Sequence, residues 1–270
     1  MTVNFLFLLS PNNSGSTIIS QYLAAQTGGY LPPFGNNEGQ MAPGVRALMR
    51  DRPWNRRQHW DWGPIRAEWT RLAEAAGKTL FIEASPPNIV RTEAIRRAFG
   101  GEARFLLSVS GPYSFIASMV FNYLHPPLDP AALRKAARQW IVRVERIRQD
   151  QLAHPDTPRM SYEAFCADPT LANRLLYIPV RDATPPLPGK RNAPVGQILD
   201  LTKRGLAFLT AEEWDIANEV LGGRPDLTEF FGYDLAPGAE LVGMARSDAA
   251  LLEAGLGRRA KFEARRPGGS

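Results

Sequence analysis

Residues Val3 to Gln26, VNFLFLLSPNNSGSTIISQYLAAQ, constrain the fold more than any other stretch of the chain. Val3 to Leu9 is a continuous apolar run, the pattern of a strand buried on both faces of a parallel sheet. Ser10 to Ser14 are turn formers, Gly15 permits close backbone approach, and Ser16 opens a helical pattern. Ile18, Ile19, Tyr22 and Leu23 recur at helical spacing, so one face of that helix packs back on the sheet. A strand, a small-residue turn and a helix N-terminus make an anion site, because free N–H groups and the helix dipole converge on one point. The hydroxyls of Ser14, Ser16 and Thr17 add donors, and Asn12 and Asn13 complete the turn. The stretch reads as a phosphate-binding loop, with an ordinary β–turn–α corner as the alternative. It is not the common ATPase loop, since it lacks G-x-x-x-x-G-K-[ST] and has no lysine nearby.

Composition narrows the class. With 270 residues and 44% hydrophobic content, one α/β domain, or one with a small subdomain, can bury a sizeable core. The first apolar run lacks a preceding basic stretch and no run reaches membrane-span length, so neither a signal peptide nor a transmembrane helix is expected. Cys166 is the only cysteine, which excludes an internal disulfide and makes a reducing cytoplasm the expected location. A net charge of +5 suits an anionic ligand and is too mild for nucleic acid. Part of that excess lies in the tail, residues 241–270, whose end GRRAKFEARRPGGS predicts a solvated or frayed segment. His59, His125 and His154 are scattered without ligand spacing, so no metal site is predicted.

Further along, residues 27–44 are rich in Gly, Pro and Asn and predict a long loop, functional or disordered, in which Tyr30, Phe34 and Glu38 favour a substrate-facing role. RDRPWNRRQHWDWG interleaves Trp54, Trp60 and Trp62 with Arg52, Arg56, Arg57 and His59. It fits either a binding surface for a base, sugar or lipid head group, or a local packing unit. Residues 28–76 thus form a substrate-facing insertion, closed by a helix from Pro64 to Ala76. Lys78 to Ala84 predicts a second buried strand that ends in Glu83, where open α/β sheets bind ligands. Ile89 to Phe99 predicts a helix, Arg104 to Ser110 a third strand, and Tyr113 to Tyr123 a helix with Ser114 and Ser118 on one face. Pro130 to Gln151 predicts a long basic helix, and Arg159 to Tyr162 a short edge strand. A Pro-rich loop, residues 183–195, carries Lys190 and Arg191. Thr210 and Glu213 have capping-box spacing for a helix to Leu221.

Taken in order, these segments resemble the sulfotransferase family, whose donor is PAPS (3′-phosphoadenosine-5′-phosphosulfate). P-x-x-S-G-[ST]-T resembles its 5′-phosphosulfate loop. FIEASPPNIV…FLLSVSGPYSFIAS is similar to its E-K-[ST]-P-x-N run followed by R-[DN]-P and a serine, through Glu83, Ser85, Pro86, Asn88, Pro112 and Ser118. SYEAFCADP is similar to Y-E-D-L-x-x-D-P, and the G-Y near residue 233 to the closing motif. The resemblance covers residues 3–235 and implies a three-layer P-loop-type α/β fold, with a central parallel sheet flanked by helices, as a domain over residues 1–240. It implies phosphosulfate binding by Asn12 to Thr17, 3′-phosphate binding at Ser110 and Ser118, and Glu83 as catalytic base with His59 as the rival. The acceptor would be a small molecule or glycan-like hydroxyl or amine.

The departures are specific. Asn13, Ala84 and Ser110 stand where the family has cations. Each charge-assisted phosphate contact is worth about 1.5–3 kcal/mol, so uncompensated loss of three would cost several orders of magnitude in affinity. Lys190 and Arg191 are the leading substitutes, with Arg91, Arg104 and the Arg52–Arg57 group behind them. A non-catalytic or altered-donor binding protein is the second reading. Another P-loop phosphotransferase is disfavoured by the absence of a Walker lysine.

Overall fold

The computed structural model describes residues 2–181, 198, 200 and 203–265. The Pro-rich loop, with Lys190 and Arg191, lies outside the described residues. The chain divides into two compact units, one of residues 1–109 and 149–199, the other of residues 110–148 and 200–270. Its elements are β1 (Asn4–Leu9), α1 (Ser16–Thr27), α2 (Arg46–Arg50), α3 (Trp62–Ala75), β2 (Leu80–Glu83), α4 (Thr92–Phe99), β3 (Ala103–Val109) and α5 (Pro112–Tyr123). There follow α6 (Pro130–Ala153), β4 (Arg159–Ser161), α7 (Tyr162–Ala167), α8 (Thr170–Leu176), α9 (Ala211–Leu221), α10 (Pro225–Phe231), α11 (Gly238–Arg246) and α12 (Ala249–Glu263).

The first unit is built on a parallel sheet of order β2-β1-β3-β4 flanked by helices. Phe7 pairs with Glu83 on one side and Phe105 on the other, and Val109 pairs with Ser161. Alternation along β1 sorts the core. Phe5 and Phe7 point to one face, where Phe99 lies 4.7 and 5.0 Å from them and Trp69 stacks on Phe81 at 5.2 Å. Leu6 and Leu8 point to the other, against Ile19, Tyr22 and Leu23 of α1 and Phe165 of α7. The apolar run therefore forms a strand because both of its faces are covered.

Two predicted helix starts move. Asp61 caps α3 by accepting from Gly63 N, so that helix begins before Pro64. Pro86 to Val90 forms a 3₁₀ turn, and α4 starts only at Thr92. The capping box at Thr210 and Glu213 is present.

The second unit corrects the expected frayed tail. Residues 238–263 form α11 and α12, which bury Leu241 and Phe262 within that unit. Gly255 lets α12 close on Ala207, where an added Cβ would stand 2.5 Å from the Ala207 Cβ. Among the described residues no helix is long and apolar enough to cross a membrane.

Candidate active site

In the strand order β2-β1-β3-β4, the chain leaves β1 toward β2 on one side and reaches β3 on the other. The turn after β1 thus lies at a topological switch point, the usual ligand position of open α/β sheets. Asn13 (φ 61°) and Gly15 (φ 77°) both take left-handed backbone there. Gly15 is the N-cap of α1, with no side-chain cap and no acidic residue in the first turn. Side chains cap α3, α7, α9 and α12 (Asp61, Ser161, Thr210 and Asp248), whereas α2, α4, α5, α8, α10 and α11 share with α1 the lack of such a cap, so what marks α1 is its place at the switch point. Ile18 N donates to Gly15 O at 3.0 Å, so the amides at the very start of α1, those of Ser16 and Thr17, are the ones that can meet an outside anion, with the Ser14, Ser16 and Thr17 hydroxyls beside them. Gly15 is required twice over. Its φ suits glycine, and an added Cβ would lie 2.2 Å from the Tyr162 ring. The Tyr-Glu segment at 162–163 is thereby brought onto the loop after β1.

Glu83 ends β2 and is fully buried. Its Oε1 accepts from Ser85 N (2.9 Å) and Asn88 Nδ2 (3.0 Å), and its Oε2 from Gly39 N (2.7 Å). Ser85 Oγ in turn accepts from Gln40 N at 3.1 Å, and Trp69 Nε1 donates to Gly39 O at 3.2 Å. Burial pushes the Glu83 carboxyl up to about 7, against the pull of its Ser85 and Gly39 hydrogen bonds and with the charge of Glu38 raising it further. A buried carboxylate with this many donors is a clamp: it fixes the 38–41 turn to the sheet edge. Around it, Gln40 Oε1 and Asn88 Oδ1 are buried and accept no hydrogen bond among the described residues. Such acceptors suit a hydroxyl-bearing ligand.

Glu38, on the clamped turn, is only partly buried. Its Oε2 accepts from Gln40 Nε2, and its other oxygen takes no hydrogen bond among the described residues. Its role was not legible in sequence beyond its place in a substrate-facing loop.

The basic aromatic segment is mostly local packing. Arg91, buried, donates to the carbonyls of Pro53 and Asn55 and lies 3.6 Å over the Trp60 ring. Burial lowers its pKa to about 10. Trp60 packs on Trp62 at 5.5 Å, while His59, Arg52, Arg56 and Arg57 are exposed. Arg104 donates to Leu176 O. Neither Arg91 nor Arg104 is spare, then, for an anion. The connector from Glu83 to Arg91 holds both the 38–41 turn and the 53–60 segment. His154, Glu93 and Asp150 do gather, their ligand atoms within 4.8 Å of one another. Arg96 Nη2 already lies 3.3 Å from Asp150 Oδ2 and supplies the positive charge there.

Ser110 and Ser118 belong to the second unit. Ser110 is buried and its carbonyl accepts from Trp140 Nε1 at 3.0 Å. Ser118 makes no hydrogen bond among the described residues, whereas Ser114 Oγ bonds back to Gly111 O at 3.1 Å.

No family model matches the sequence, and no curated protein is similar enough to count as a relative. Among solved structures, the sulfotransferase domain from the curacin biosynthetic pathway is similar with a TM-score of 0.51 and 18% identity, over 87% of this chain and 99% of that one. This chain has the sulfotransferase fold. The sulfotransferase domain of the Synechococcus PCC 7002 olefin synthase aligns at 19% identity over 87% of this chain and 97% of its own, with a TM-score of 0.49. In the sulfotransferase fold of this chain, the turn after β1 and the end of β2 carry the features just described.

Proposed function

We propose that this protein is a sulfotransferase that moves a sulfuryl group from PAPS to a hydroxyl or amine of a small-molecule or glycan-like acceptor. The observation that carries the reading is the uncapped N-terminus of α1 at the switch point, with Gly15 pressed under Tyr162. It fits the phosphosulfate end of the donor, since amides and hydroxyls there can hold negative charge without a lysine. When bound, PAPS supplies the activated sulfuryl group and a bisphosphate leaving group.

The chain's own part is to hold charge and move one proton. Glu38 takes the acceptor proton at its free carboxylate oxygen as the acceptor attacks. Glu83, fully buried and holding three donors, is the positioning residue that sets the Glu38 turn. This reassigns the base from Glu83, and it leaves exposed His59 outside the proton path. The orphaned Gln40 Oε1 and Asn88 Oδ1 would orient acceptor hydroxyls. Charge at the α1 amides stabilises the oxygen that leaves sulfur. The reading carries a cytoplasmic location, consistent with the single Cys166.

The second reading, a non-catalytic or altered-donor binding protein, is favoured by Asn13, Ala84 and Ser110. The last two are buried in this structure. Calorimetry with adenosine 3′,5′-bisphosphate separates the readings. Micromolar binding, with sulfuryl transfer from PAPS to a panel of hydroxyl acceptors, supports the enzyme. A well-folded protein that ignores the bisphosphate supports the second reading.

A further inference from the structure

The basic aromatic segment presents a face that the fold itself does not use. Residues 46–57 lie within the first unit and are fastened from the inside. Ahead of and along α2, Ala42, Val45 and Met49 are buried. Farther on, Arg91 donates to the carbonyls of Pro53 and Asn55. Short turns close the segment, with Asn55 N donating to Arg52 O at 2.8 Å and Gln58 N to Asn55 O at 3.0 Å. The backbone is thus held from within, and Arg46, Arg50, Arg52, Arg56 and Arg57 are all exposed.

None of these five arginines forms an ion pair among the described residues. Asp51 is the single acid of the segment, and it accepts from Gln58 Nε2 at 3.3 Å. The next carboxylates are engaged as well: Asp61 caps α3, and Glu68, beside Gly44, pairs with Arg71 at 2.8 Å. Positive charge therefore stays concentrated on one exposed stretch, which attracts anionic surfaces. Between the arginines, Leu48 is 42% and Trp54 37% exposed. An acidic peptide or a DNA duplex would use the arginines and leave these two apolar side chains in water. A bilayer with anionic headgroups takes both kinds, guanidinium groups at the phosphates and apolar side chains at the acyl boundary.

We propose that the arginines of residues 46–57, with Leu48 and Trp54, form a surface that docks peripherally on anionic lipid bilayers. Electrostatic attraction brings the surface to the headgroups, and Trp54 inserts among them. The proposal does not depend on which donor the protein binds.

The test uses the full-length chain and vesicles of phosphatidylcholine, with and without phosphatidylserine, read by co-sedimentation. Wild type should bind the phosphatidylserine vesicles, leave the neutral ones, and bind more weakly as salt rises. Each arginine near such a surface is worth about 1 kcal/mol, so Arg52→Gln, Arg56→Gln and Arg57→Gln together should lower partitioning roughly 100-fold. The melting temperature of that triple variant should match wild type, since the three arginines form no ion pair among the described residues. Should it melt lower, the phosphatidylserine and salt dependence of wild type decides the matter. Brominated lipid in the vesicles should quench the tryptophan fluorescence of wild type, and quench Trp54→Phe much less. Vesicle binding that is absent, equal on neutral lipid, or undiminished in a well-folded triple variant overturns the proposal, and so does equal quenching in Trp54→Phe. Binding to a poly-glutamate peptide or duplex DNA without binding to vesicles overturns it too, and makes an acidic macromolecule the partner.

Discussion

Replacing Glu83 with Gln tests the clamp directly, and the difference between variant and wild type across pH isolates this one group. The Glu83 carboxyl rises from 4.5 to about 7 in the folded protein because it is fully buried. A group whose folded pKa lies above its unfolded value favours the fold below the unfolded pKa, and that contribution is lost as pH climbs through the folded pKa. Here the window is pH 4.5 to 7. A rise of that size corresponds to roughly 3 kcal/mol, at about 1.4 kcal/mol per pKa unit. Because the group is fully buried, solvent screening does not reduce it.

Glutamine cannot titrate. It also cannot satisfy both sides of the clamp, since its NH₂ would face either Gly39 N or the donors from Ser85 and Asn88. A buried donor left without its acceptor costs about 1–3 kcal/mol. Glu83→Gln should therefore be less stable than wild type at pH 5, and should recover by roughly 3 kcal/mol relative to wild type by pH 8. In thermal unfolding, that is a relative gain of roughly 6–12 °C. Circular dichroism melts of both proteins at pH 5, 6, 7 and 8 read it out. Parallel melting curves across that range would refute a raised Glu83 pKa and with it the buried clamp.

Glu38→Gln should leave the melting temperature within about 2 °C of wild type, as a partly exposed change does, and lower sulfuryl transfer by roughly 10²–10⁴ with bisphosphate affinity kept. Gly15→Ala meets both a positive φ and the Tyr162 ring, so it should lose about 1–3 kcal/mol of stability by urea unfolding, together with bisphosphate binding. Ala84→Lys, which restores the family's cation at that position, should lower stability by about 3 kcal/mol or more and gain no bisphosphate affinity in calorimetry.

Local signals were legible in the sequence, and distant pairings were not. The apolar run of β1, the turn at Ser10–Gly15 and the 3.6-residue period of α1 are all contained in one short stretch, so strand, loop and helix follow from it. Glu83 could be placed at a strand end because Pro86 and Pro87 stop the strand. Its burial under the 38–41 turn could not be read, since Gly39 and Gln40 arrive from a loop without hydrophobic period. The same holds for Trp60, whose partner Arg91 stands on another element. Helix α12 was hidden for a different reason. It buries only Gly255 and Phe262, and arginines and a lysine fill the intervening turns, so its pattern resembles a solvated tail.

Position 84 shows why a departure from a family motif does not measure loss of function. Ala84 is 1% exposed and packs in the cluster of Leu6, Leu8, Ile19, Tyr22 and Leu23. It faces away from Glu83, because neighbouring side chains point to opposite sides of an extended backbone. A lysine there would overfill that cluster and bury an ammonium without a partner, whatever anion lay at the strand ends. The geometry that made this position core also removed it from the site. Charge for a bound anion has to be in the right place, and nothing requires that it come from the same point in the sequence.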